Sequence, residues 1–133
     1  WANTGTRMVM HQRLSRAGAP WFAGDGIAYA GDSGASPGFV RVVPGFSGEV
    51  ILSWVRTTAF SGNKHIHTQK FDLTGAPQWG AGTRLAVFDS NSVPIAHEPR
   101  LLPDGAGGAI YGWHFAVGSV FSARAQRLAA KPT

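Results

Sequence analysis

Apolar positions in this chain fall in short runs with the spacing of strands, separated by glycine, proline and small polar residues. Residues 39–43 read Phe-Val-Arg-Val-Val, rich in β-branched side chains, and stop at Pro44. After a turn at residues 45–48, residues 49–56 carry Val50-Ile51-Leu52-Ser53-Trp54-Val55. That run is apolar on both alternating faces, which predicts a strand interior to a sheet and covered on both sides. Residues 57–63 read as a polar loop, and residues 64–72 as a third strand with bases and histidines interleaved. Thr74-Gly75-Ala76-Pro77 makes a turn before a fourth strand at residues 84–88. The span 38–90 therefore predicts one complete sheet of four antiparallel strands.

The pattern recurs along the chain. Gln12, Gln69 and Gln126 are spaced by 57 (69 − 12 and 126 − 69), each followed by a basic and then an apolar residue. Gly18-Ala19-Pro20 and Gly75-Ala76-Pro77 share that offset. Arg41-Val42-Val43-Pro44 leading to Trp54 matches Arg100-Leu101-Leu102-Pro103 leading to Trp113 with an offset of 59 (113 − 54). Self-similarity on this scale marks repeated supersecondary units that bury their faces on one another. The predicted fold is all-β, with propeller-like blades of four antiparallel strands at a repeat of about 57 residues. The whole chain, 1–133, reads as one segment: a partial blade at 1–30, a complete one at 38–90 and a partial one at 96–128. In the first, Trp1 stands where Trp54 and Trp113 stand, residues 6–14 form a third strand and 26–30 a short fourth. In the last, residues 98–103, 109–115 and 119–128 supply strands one to three.

Composition narrows the picture. Eighteen glycines and eight prolines among 133 residues, with 14% charge, suit short strands and tight turns rather than helices. No apolar run approaches the roughly 18 residues of a membrane-spanning helix, so no membrane span is expected. There is no cysteine, hence no disulfide or thiolate metal site. The first residue is Trp1 rather than methionine, so the sequence reads as a processed or trimmed piece of a longer product. The net charge of +5 is scattered over the chain without a basic block. Such a diffuse excess favours acidic partners weakly and carries no nucleic-acid motif.

Pro103-Asp104-Gly105-Ala106-Gly107-Gly108-Ala109-Ile110-Tyr111-Gly112-Trp113 resembles the Asp-Gly-x-Gly-Gly…Trp phrase of bacterial secreted β-propeller repeats. Ile66-His67-Thr68-Gln69-Lys70-Phe71-Asp72, followed by Gly75-Ala76-Pro77-Gln78-Trp79, resembles the later Gln-Arg-Leu and Gly-x-Pro-x-Trp part of the same repeat. The resemblance implies the propeller architecture and a scaffold role outside the cytoplasm, extracellular or periplasmic; it names no ligand.

Candidate chemistry is sparse. His65 and His67 share a strand face, as a divalent metal would need, but their repeat equivalents are Met8 and Met10, so no metal site and no cofactor are expected. The Asp/Ser/Asn/Gly clusters at Asp25, Asp32 and Asp89 read as turns rather than calcium loops. Neither a nucleophile elbow nor paired carboxylates are evident, and a non-enzymatic role is expected. Gln12, Gln69, Gln126, Trp54, Trp113, Asp104, Gly107 and Gly108 read as structural repeat residues: glutamines bonded to backbone in the adjacent blade, tryptophans filling the gap between sheets, Asp104 and the glycines forming a hairpin turn. Ligand contact, if any, falls to Trp21 and Trp79 (offset 58, 79 − 21), which are either binding rings or structural plugs, and to Arg41 and Arg100. Loops 31–37, 57–63 and 89–97 are expected to present the binding surface. The expected role is a binding or structural module with a protein partner or larger assembly. The alternative is a glycan-binding lectin that completes its propeller by oligomerisation.

Overall fold

The computed structural model describes residues 2–3, 8–29 and 34–131. It is all-β, with three antiparallel sheets in which every strand pairs with a sequence neighbour. The first sheet holds β1 (Ala2–Asn3), β2 (Met8–His11) and β3 (Ile27–Tyr29). The middle sheet holds β4 (Ser36–Pro44), β5 (Val50–Thr57), β6 (Lys64–Phe71) and β7 (Leu85–Phe88), with a single 3-10 turn at Gly80–Gly82 before β7. The last sheet holds β8 (Arg100–Pro103), β9 (Ala109–Val117) and β10 (Val120–Leu128). The strand expected over residues 6–14 is shorter, because residues 12–14 leave the ladder to begin a hairpin loop. Trp1 lies outside the described residues, as do residues 31–33 of the 31–37 loop.

The doubly apolar run in β5 does what its pattern demands. Leu52 and Trp54 face the first sheet, in a cluster with Val9, Tyr29 and Phe71. Ile51 faces the other way, in a larger cluster that reaches Ala109, Tyr111, Trp113 and Phe115 of the last sheet. The three sheets are stacked face to face, so the middle one is buried on both sides. Cross-strand partners repeat between sheets. Arg41 pairs with Ser53 and Trp54 with His67 in the middle sheet; Arg100 pairs with Gly112 and Trp113 with Arg124 in the last. Thr68 and Tyr111 join the two sheets by a hydroxyl–hydroxyl bond of 2.8 Å, and burial pushes the Tyr111 phenol well above its ordinary pKa.

Two aspartates hold turns. Asp72 accepts the Thr74 hydroxyl at 2.7 Å and the N–H groups of Thr74 and Ala76 at 2.8 and 3.0 Å. Asp104 accepts the N–H groups of Ala106 and Gly108, each at 2.8 Å, and Arg127 Nε at 2.7 Å. Gly107, at φ 82°, could not carry a side chain: a Cβ there would lie 2.7 Å from the Phe46 ring.

These groups set the expected pH dependence. The Thr74 hydroxyl, and for Asp104 the Ala106 N–H with Arg127 behind it, hold both carboxyls below the usual range. Folding therefore gains stability from them above that range and loses it as pH falls through their depressed folded values. His11, packed between Phe22 and Phe71, is held below 6.5 by burial and by Arg13, so protonation opposes folding as pH falls below that value. Thermal unfolding between about pH 8 and about pH 2 should show a first decline below about pH 6.5 and a steeper one in the carboxylate range. His11→Phe should remove the first decline and Asp104→Asn should flatten the second. An upper decline that survives His11→Phe would assign it elsewhere.

Candidate functional site

The basic residue after each of the first two glutamines crosses from one sheet to the next. Arg13 donates to the Gly48 carbonyl, and Lys70 donates to the Gly107 carbonyl at 3.4 Å. Lys70 is buried, paired with Glu49 at 2.5 Å, and also reaches the Ala130 carbonyl at 3.3 Å. Trp79 Nε1 donates to the same Ala130 oxygen at 2.9 Å, so the segment after β10 is tied back onto the middle sheet.

The glutamines work inside their own hairpins. Gln12 accepts from Phe22 N–H and donates to Phe22 O, each at 3.0 Å. Gln69 accepts from Trp79 N–H at 2.9 Å and donates to Trp79 O at 3.1 Å and Thr83 O at 2.7 Å. Adjacent-sheet backbone is not their target; Tyr29 Oη at 3.4 Å is the contact Gln69 makes across the sheets. Gln126 is exposed on the last strand. This bonding aligns Phe22 with Trp79 at an offset of 57 (79 − 22). Trp21 aligns instead with Gln78, since Trp21 N–H donates to Arg13 O as Gln78 N–H donates to Lys70 O, both at 2.8 Å.

The four residues singled out for ligand contact therefore separate. Trp79 is 2% exposed and its ring is packed in the core. Arg100 is exposed on β8, away from any described cavity. Trp21 and Arg41 come together. They line a cleft of about 610 Å³ between the first and middle sheets, floored by Val40, Val42, Val50 and Leu52 and bordered by Arg13 and Arg16. Trp21 is 56% exposed, with the Arg13 guanidinium 5.1 Å from its ring centre. Arg41 forms an ion pair with Glu98. Sequence reasoning passed over Arg13 and Val42; the Gln-basic phrase held Arg13, but its direction across the sheets is a property of packing.

The remaining candidates sit apart. The His65 and His67 rings are 6.4 Å apart, while His97 and His114 pair with each other at 5.6 Å. Among the described residues no three His, Cys, Asp or Glu side chains come together. The 57–63 loop projects a fully exposed Phe60, whereas the 89–97 segment is pinned by Val93 N–H to Lys64 O at 2.8 Å and buries Val93. Among the described residues no helix is long and apolar enough to cross a membrane. No protein-family model, curated protein or solved structure matches the chain.

Proposed function

We propose that the chain is a non-catalytic structural and binding module, a β-propeller segment with blades recurring at about 57 residues, built into a larger protein assembly. The observation that carries this reading is the outer face of the last sheet. Val43 and Ile51 are cross-strand partners buried between the middle and last sheets. Their counterparts Leu102 and Ile110 are cross-strand partners too, yet Leu102 is 60% exposed. Arg127 holds the place of Arg13 and Lys70 and pairs with Asp104 of its own sheet's β8–β9 turn. A face that repeats the residues of two buried interfaces is complementary to one more sheet of the same design. Contact of β4 with β8 on one side and with β2 on the other further supports strands gathered around a common axis.

Non-catalytic is the reading that fits the acids, because Asp72 and Asp104 hold turns while Glu49 and Glu98 are paired with bases. A lectin would need matched aromatic–arginine sets in each copy, and Trp21 has glutamine as its match. The extracellular or periplasmic setting rests on the resemblance of the repeat phrases. Light scattering on the eluting chain tests the module reading. The expected result is association, as a multimer or as concentration-dependent aggregates. A sharp, cooperatively folded monomer would overturn it.

A further inference from the structure

The link between the middle and last sheets, residues 89–97, is fastened at two consecutive residues. Ser92 Oγ accepts the Lys64 N–H at 2.9 Å, and the Val93 N–H donates to Lys64 O at 2.8 Å. Those two bonds latch the link to the start of β6 and seat Val93 in the core shared by the two sheets. The Ser92 N–H takes no part in the latch: it donates to Asn91 Oδ1 at 2.8 Å. This main-chain nitrogen is therefore held beside the side-chain carbonyl of the residue before it, in a half-buried stretch that belongs to no strand. Asn63 is the contrast. The nitrogen that follows it is Lys64 N, which is bonded to Ser92 Oγ at the start of β6.

We propose that Asn91 is a site of spontaneous deamidation, at which the folded chain converts its own asparagine to aspartate and isoaspartate. The Ser92 nitrogen gives its proton to solvent hydroxide and bonds to Asn91 Cγ; the Cγ–Nδ2 bond breaks and ammonia leaves. A five-membered succinimide results. Water then opens that ring at Cγ to give aspartate, or at the Asn91 main-chain carbonyl to give isoaspartate. Nothing is oxidised or reduced. Asparagine is a thermolabile residue through this chemistry, and two features favour it here. Serine is small, so it leaves the attacking nitrogen open, and a stretch outside any ladder can turn into the attack geometry without breaking strand pairing. Asn63 lacks the second feature, because attack there must first release Lys64 from the latch. Either product carries a new negative charge, and isoaspartate adds a carbon to the backbone next to Ser92. The hold of Ser92 and Val93 on Lys64 then loosens, so the seating of the last sheet on the middle one changes with the age of the chain.

The test is ageing of the whole chain in mildly alkaline buffer, folded or in guanidinium chloride, followed by tryptic mass spectrometry. Asn91 is the only side-chain amide in the tryptic peptide 85–100, and Asn63 in 57–64, so each amide-to-acid mass gain assigns itself. Folding should leave the Asn91 rate within about threefold of its denatured rate and slow Asn63 about tenfold or more. Asn91→Gln should abolish the gain in 85–100, since glutamine must close a six-membered imide. Ser92→Ala removes the acceptor of the Lys64 N–H and should speed Asn63 in the folded chain. In the aged chain, hydrogen exchange at the Lys64 and Val93 amides should be about threefold faster or more than in the fresh one. An Asn91 that reacts only in denaturant, or an Asn63 that keeps pace with it in the folded chain, would overturn the inference. Unchanged exchange after ageing would overturn the loosening of the latch. The result does not depend on the module reading, because the latch lies within one chain.

Discussion

Trp54→Ala is expected to destabilise the chain by about 3–5 kcal/mol, and Trp113→Ala by a similar amount. Trp54 is 1% exposed and meets Tyr29 of the first sheet edge-on at 5.8 Å. Trp113 meets Phe88 of the middle sheet at 5.2 Å. Each ring thus spans the gap to the sheet that precedes its own, and truncation leaves a cavity that two stacked ladders cannot close without breaking register. Trp113 Nε1 is buried with no hydrogen-bond partner, so Trp113→Phe should recover much of the loss. Trp21→Ala provides the contrast: its ring is half exposed, and a change within about 0.5 kcal/mol is expected. Urea unfolding of the four variants measures the order. Losses under about 1 kcal/mol at both Trp54 and Trp113 would contradict the assigned packing.

The strand pattern was legible because it is local. Alternation, a proline stop or a glycine turn is written in adjacent residues, and the doubly apolar β5 run even announced that both its faces are covered. Alignment of the repeats was legible only as far as the offset was held constant. An offset of 58 pairs Trp21 with Trp79, but nothing is inserted between Gln12 and Trp21, so the offset of 57 holds and Phe22 takes the clamped position of Trp79. Destinations of long polar side chains were not legible. Whether Lys70 reaches solvent or a carbonyl on the next sheet depends on the stacking of sheets far apart in sequence. The cleft was hidden for a related reason, since its walls come from residues 10–21 and 40–52, brought together only by the stacking of two sheets.

The second large effect separates the three glutamines, which look equivalent in sequence. Gln69→Ala is expected to cost about 3 kcal/mol or more, because it strands several buried groups at once. Gln69 Oε1 accepts from Lys70 N–H at 2.8 Å as well as from Trp79 N–H, and its amide satisfies the Trp79 and Thr83 carbonyls. Removing one buried partner costs about 1–3 kcal/mol per orphaned group, and Gln69 is fully buried. The loss should propagate, since Trp79 holds Ala130 and so closes the last sheet onto the middle one. Gln12 makes the same clamp on Phe22 in a half-buried site, where water replaces part of what is lost, and Gln12→Ala should cost about 1 kcal/mol. Gln126→Ala, on the exposed last strand, should fall within about 0.5 kcal/mol. Denaturant midpoints in the order Gln69 well below Gln12, and Gln12 below Gln126, would show one sequence phrase doing three different amounts of structural work according to what covers it. Equal effects at all three would instead mean that the clamp acts within each hairpin alone, independent of burial between sheets.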